Sequence, residues 1–143
     1  MTHFEREFFQ KFKFTKKQIQ QYFQNAVRDL EIARTDPYPE VRFNYCYQAL
    51  IKAGIALFAK KGQVRVRSIP GHHVKILMKT SELLNDSDVL TIGNAMRMKR
   101  NLDFYGGGQP VTRKEVEDYL RFVEKVIVKV KGIIGGNVRL SRS

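Results

Sequence analysis

The chain has 143 residues, of which 43% are hydrophobic and 11% aromatic, and it carries a formal net charge of +12. This length fits a single domain, residues 1–143, with a real core, and the one cysteine, Cys46, excludes an internal disulfide framework. No apolar run of about 18 residues is present and the first residues lack the apolar stretch of a secretory signal, so we expect no membrane association and a cytoplasmic protein.

The charges are unevenly placed along the chain. No acidic residue lies between Glu40 and Glu82. The cations of this acid-free span are Arg42, Lys52, Lys60, Lys61, Arg65, Arg67, Lys75 and Lys79. A segregated positive field favours a polyanionic partner such as RNA, DNA or an acidic protein, although a solvated basic surface without a partner is the simpler alternative.

The first fourteen residues are rich in phenylalanine. Three of the rings, Phe4, Phe8 and Phe12, recur at helical spacing. The segment 1–14 is therefore either an extra docked helix or an aromatic arm that covers a partner. We favour a helix that packs on its own chain.

Two long helices are predicted next. The first, about 15–34, opens at a capping box formed by Thr15 and Gln18. The second, about 39–61, is apolar nearly all round, which predicts the central helix, with Gly62 as its C-cap. Cys46 lies among its apolar residues and is expected to be buried.

The rest of the chain predicts a basic loop and three further helices. Within loop 63–71, residues 64–67 alternate like a strand but have no evident partner, so we expect no sheet. The helices are predicted over about 71–84, 86–104 and 112–134, the last opening at a capping box of Thr112 and Glu115, with a frayed tail over 135–143. The fold class expected is all-α, an antiparallel four- or five-helix up-down bundle.

Charged and polar side chains that could bind a ligand are concentrated at the end of the fourth helix. Arg97, Arg100 and Asp103 follow one another at intervals of three and share one side of the helix, with Asn101 and Tyr105 close by. Arginine suits phosphate because its planar fork donates two hydrogen bonds at once. The plainer alternative is a solvated basic face that ends at the glycines 106–108.

Histidine is the other candidate. His72 and His73 open the third helix in the basic region, where a neutral imidazole can act as a general base on a ribose hydroxyl. Ordinary polar residues at a helix start are the alternative. One cysteine and three histidines do not make a structural zinc site, and we expect no metal and no cofactor.

These features, taken in order over about 15–134, resemble the HEPN superfamily of small helical bundles. The resemblance is carried by the second-helix segment 45–57, by a histidine near the start of the third helix, and by Arg100-Asn101 followed by Tyr105-Gly106. Many HEPN proteins are metal-independent ribonucleases that carry an arginine, usually followed by a polar residue, and then, after four to six intervening residues, a histidine. Arg100-Asn101 matches the first half, but Tyr105 stands where the histidine belongs.

The resemblance implies three functions. The first is a nucleotide- or RNA-binding module with little or no enzymatic activity, from a toxin–antitoxin, defence or nucleotidyltransferase-partner system. Its contact residues are expected to be Arg97, Arg100, Asn101, Asp103, Tyr105, Lys60, Lys61, Arg65 and Arg67. The second is an endoribonuclease in which His72 or His73 acts with Arg100, Tyr105 being a weak candidate. The third is a structural partner of a minimal nucleotidyltransferase. Family members often dimerise with their arginine-bearing helices facing one cleft, so we also expect a homodimer.

Overall fold

The fold is a bundle of five helices with one short two-stranded sheet. The computed structural model describes residues 3–104 and 110–135, with the side chains of Asp103 and Phe104 left out. The elements are β1 (Phe9–Lys11), α1 (Lys16–Thr35), α2 (Pro39–Gly62), β2 (Val64–Val66), α3 (His72–Leu84), α4 (Ser87–Phe104) and α5 (Arg113–Ile134). The prediction of an all-α bundle is confirmed. In the described residues, no helix is both long and apolar enough to cross a membrane.

The helix boundaries follow from capping chemistry. Both predicted capping boxes are present: the hydroxyls of Thr15 and Thr112 each accept a hydrogen bond from the backbone N–H three residues on, and their own backbone N–H groups donate to the side chains of Gln18 and Glu115. The C-cap of α2 is Gln63 with φ of 49°, rather than Gly62 as we predicted. Gly62 stays helical and lies under Phe4, where an added Cβ would come within 2.6 Å of the ring.

The second helix is the centre of the molecule, as predicted. Its fully buried side chains include Tyr47, Leu50, Leu57 and Phe58. Helices α1 and α5 pack on it, as do α3 and α4. Cys46 is fully buried as expected, and this burial raises the pKa of its thiol far above the usual range. Burial of each large apolar side chain here contributes about 1.5–3 kcal/mol to the stability of the fold, and this burial holds the helix that carries Tyr47 in place.

Helix direction departs from the predicted up-down order at one connection. Tyr47 contacts His73, and seven residues later Gly54 lies against Ile76 and Thr80, so α2 and α3 run in the same sense. Residues 63–71 therefore carry the chain back along the bundle instead of forming a tight turn. This return brings the start of α3 beside the middle of α2.

The amino-terminal segment is a strand rather than a helix, and the loop strand has a partner. β1 pairs antiparallel with β2, with Phe9 opposite Val66 and Lys11 opposite Val64. Both predictions, a helix before residue 15 and no sheet, are wrong. Phe9 is buried and packs edge-on against Phe4 and Phe58. The segment does pack on its own chain, but it satisfies its backbone through a strand more than fifty residues away in sequence.

Candidate functional site

Three helices bring polar side chains together near the middle of α2. Tyr47 comes from α2, His72 and His73 from the first turn of α3, and Arg97 and Arg100 from the last turns of α4. The returning connection before α3 is what places the two histidines there. We call these five residues the arginine–histidine cluster.

A buried hydrogen bond joins Tyr47 to His73. The Tyr47 hydroxyl lies 3.0 Å from Nδ1 of His73, and Tyr47 is 1% exposed. Burial raises the pKa of Tyr47 to about 12, although the positive charges of Arg100 and Arg97 act in the opposite direction. Tyr47 therefore stays protonated, and its ring lies 5.6 Å from the guanidinium carbon of Arg100, within the range of a cation–π contact.

His73 is held neutral. Burial lowers its pKa to about 4, and the charges of His72, Arg100 and Arg97 lower it further. At neutral pH the ring thus carries a lone pair on one nitrogen. Which nitrogen holds it depends on whether the Tyr47 hydroxyl donates to Nδ1 or accepts from it.

The tautomer of His72 is fixed by the backbone. Its Nδ1 lies 2.7 Å from the carbonyl oxygen of Ile69. A carbonyl only accepts, so Nδ1 must carry the proton, and a neutral His72 holds its lone pair on Nε2. The rings of His72 and His73 meet edge to face, with centroids 4.5 Å apart.

The two arginines are half-buried cations with few protein partners. Nε of Arg97 donates to Asn94 at 3.0 Å. Among the described side chains, no carboxylate lies within 4.0 Å of either guanidinium, whereas the neighbouring Lys99 lies 4.0 Å from Glu115. Arg100 also lines a cleft of about 520 Å³. The α2 side of the cleft is formed by Glu40, Val41, Phe43, Asn44, Tyr45 and Gln48.

The structure brings together only part of the predicted site. Arg97, Arg100, His72 and His73 meet as described, and Asn101 is exposed on the next turn of α4. The side chain of Asp103 and all of Tyr105 lie outside the described residues. Tyr47 was missed, although a hydroxyl inside an apolar helix signals that a buried partner is needed.

The other predicted basic contacts do not belong to the cluster, and the remaining cations of the acid-free span are paired within the fold. Lys60 and Lys61 end α2, about 20 Å along the helix from Tyr47 at 1.5 Å per residue, and Arg65 and Arg67 follow them. Four other cations of the acid-free span bind carboxylates within the fold. These pairs are Arg42–Glu117, Lys52–Asp29, Lys75–Glu5 and Lys79–Glu5, each at 2.6–2.7 Å.

The chain matches no protein-family model, no curated protein and no solved structure.

Proposed function

We propose that the arginine–histidine cluster binds the phosphates of RNA or of a nucleotide, through Arg97, Arg100 and the neighbouring Asn101. The observation that carries this is a pair of half-buried guanidiniums with no carboxylate partner among the described side chains, one of which, Arg100, lines a cleft. Guanidiniums that meet no carboxylate among the described side chains, in a partly dry site, favour an incoming anion with two acceptor oxygens. The resemblance to HEPN bundles supports the same ligand.

Fluorescence anisotropy with a labelled single-stranded RNA tests this proposal. Arg97→Gln and Arg100→Gln should each weaken binding about tenfold or more, because each removes a charge-assisted hydrogen bond. Arg121→Gln is the matched control, since Arg121 is exposed on α5 and pairs there with Asp118. Equal losses in all three variants, or no RNA binding at low salt, would refute the proposal.

A second candidate, a metal-independent endoribonuclease, is favoured by the two histidines beside Arg100. Nε2 of His72 can take the proton of a ribose 2′-hydroxyl, whose oxygen then attacks the adjacent phosphorus. The bond from phosphorus to the 5′-oxygen breaks, that oxygen takes a proton from water, the hydroxide takes back the proton held by His72, and a cyclic phosphate remains. The arginines would stabilise the charge of the pentavalent state. The low pKa of His73 makes that ring a weak base.

Cleavage assays without metal separate binder from enzyme. We expect the purified protein to leave a mixed RNA intact in the presence of a chelator. Cyclic-phosphate ends that disappear in His72→Gln and in Arg100→Gln would establish the ribonuclease instead. Cleavage that persists in both variants comes from a contaminating nuclease.

We also propose a homodimer that pairs through α4. Met98 and Leu102 are 54% and 55% exposed, and they lie four residues apart on one face, next to the arginines. Light scattering should give twice the 16.7 kDa chain mass, and Met98→Glu should return the protein to a monomer. A 16.7 kDa particle at micromolar concentration would contradict the dimer.

In the third alternative, the same face of α4 binds a nucleotidyltransferase or an antitoxin, and the chain is a structural partner of that protein. That alternative predicts a heteromeric complex from the host and no RNA binding by the isolated chain.

A further inference from the structure

The two-stranded ribbon at the far end of α2 presents a second set of ordered cations. Gln10 and Arg65 are paired in register on its exposed side. Nε of Arg65 donates to Gln10 at 3.1 Å, and its guanidinium carbon lies 4.9 Å from the ring centre of Phe12. Nε of Arg67 donates to the carbonyl of Arg6 at 2.9 Å. Both guanidiniums are thus held in place by Nε, and their terminal nitrogens have no protein partner in the described part of the chain.

Further cations and aromatic rings surround these two arginines. A cleft of about 620 Å³ is lined by three cations, Arg6, Lys11 and Arg67, and by the rings of Phe4 and Phe9. Lys60 and Lys61 at the end of α2 are exposed, and Gly62, which follows them, lines this cleft. We call Arg6, Lys11, Lys60, Lys61, Arg65 and Arg67 the ribbon surface.

Negative charge is nearly absent from the ribbon surface. Of the two carboxylates in the amino-terminal segment, Glu5 is bound by Lys75 and Lys79 of α3. Only Glu7 is left exposed. The surface therefore keeps a strongly positive field, and the exposed ring of Phe12 beside Arg65 adds the aromatic face that is typical of surfaces following single-stranded nucleic acid.

Arg67 lies near the cluster, since backbone hydrogen bonds link it through Ile69 to His72, whereas Lys61 lies about 20 Å along α2 from Tyr47. A single nucleotide does not reach across this distance. At about 3.4 Å per nucleotide for stacked bases, a strand of about six nucleotides does.

We propose that the ribbon surface binds the phosphate backbone of the same strand whose other end occupies the arginine–histidine cluster. The ligand is then a single-stranded polynucleotide, and a mononucleotide fills only the cluster. This inference rests on the proposed function, since it extends the ligand of that site.

Binding of RNA oligomers of different length tests the proposal on the full chain. The ligands are adenosine monophosphate, a trinucleotide and a twelve-nucleotide RNA. The variants are Lys11→Gln/Arg65→Gln in the ribbon surface and Arg97→Gln/Arg100→Gln in the cluster. Arg28→Gln/Arg121→Gln, two exposed arginines on α1 and α5, is the control of equal charge loss. Lys60→Gln/Lys61→Gln tests the ribbon surface without touching the strands.

The expected result depends on length. The ribbon variants should weaken binding of the twelve-nucleotide RNA about tenfold more than the control variant does. Their affinity for the two short ligands should be unchanged. For two lost phosphate contacts, the slope of log affinity against log salt should fall by about 1.4. The cluster variant should weaken all three ligands.

The contrary results separate the two proposals. If both ribbon variants match the control on the long RNA while the cluster variant loses binding, the ribbon proposal is overturned and the proposed function stands. If the cluster variant keeps full binding of all ligands, the proposed function fails, and the bridged strand fails with it. Binding of polyglutamate but of no RNA would assign the surface to an acidic protein and overturn both.

Discussion

At the residue scale, the neutral state of His73 makes the strongest prediction about pH. Its pKa in the fold is about 4, below the ordinary value of 6.5, so the unfolded chain takes up the proton first as the pH falls. The contribution of His73 to stability is therefore complete above pH 6.5 and is lost between 6.5 and 4. We expect the free energy of unfolding to drop by about 1–2 kcal/mol over this window, allowing for solvent screening of a half-buried ring.

Urea denaturation at several pH values measures this drop, with His73→Gln as the control. The variant should lose the part of the pH dependence that lies between 4 and 6.5. A wild-type His73 that titrates near 6.5 by proton NMR would contradict the buried, neutral ring.

The arginines and histidines of this cluster could be predicted from the sequence, but Tyr47 could not. Arg97 and Arg100 were recognisable because their spacing on one helix is visible locally. The two histidines were recognisable because neutral imidazole is the usual base near pH 7. Tyr47 was not, because in α2 it has the same periodicity as the core aromatics, and its partner is on another helix, 26 residues away.

At the element scale, the ion pairs of Glu5 fasten the amino-terminal segment to α3. Hydrogen bonds from Lys75 and Lys79 lower the pKa of Glu5 to about 2. Its contribution to stability is thus present above about pH 4.5 and is lost as the pH falls toward 2. Glu5→Gln should lower the free energy of unfolding at pH 7 by about 1–2 kcal/mol, because it leaves the buried Lys79 with only the longer contact to Glu82.

Glu7→Gln is the matched control, since Glu7 is exposed two residues away and has no ion pair among the described residues. Urea denaturation should find it unchanged. Equal stability of the two variants would mean that the Glu5 pairs contribute nothing.

Alanine substitutions at two glycines should change the stability of the fold in opposite directions. Gly54 lies at the contact between α2 and α3, whereas Gly132 lies on α5. An alanine Cβ at Gly54 would lie 2.5 Å from Oγ1 of Thr80, whereas one at Gly132 of α5 meets nothing within 4 Å. Gly54→Ala should therefore destabilise the fold by about 1–3 kcal/mol through overpacking. Gly132→Ala should stabilise it by about 0.5–1 kcal/mol through helix propensity.

Thermal denaturation followed by circular dichroism measures both variants. A Gly54→Ala protein as stable as the wild type would contradict the close approach of α2 and α3 that positions His73.

The helices were predictable at this scale and the ribbon was not. Capping boxes and apolar periodicity are local signals, so the helix ends fell within one or two residues. The partner of Val64–Val66 lies 55 residues earlier, and the helical spacing of Phe4, Phe8 and Phe12 pointed to the wrong element. Strand pairing over such distances leaves no local signature.

At the scale of the whole molecule, the fold neutralises part of the positive charge that the sequence places in the acid-free span. Half of the eight cations in the acid-free span are bound to carboxylates from other parts of the chain, Arg42 and Glu117 being 75 residues apart. The other four, Lys60, Lys61, Arg65 and Arg67, lie at and after the carboxyl end of α2. Composition predicted a polyanionic partner, but only the fold separates the cations available to it from those that hold the bundle together.

Proton NMR of the three histidine rings tests the central claim most directly. His72 and His73 report on the arginine–histidine cluster, and His3 lines the cleft of the ribbon surface. Addition of a mononucleotide should shift the signals of His72 and His73 saturably and leave His3 in place. Saturable binding that leaves both His72 and His73 unchanged would contradict a phosphate site at Arg97 and Arg100.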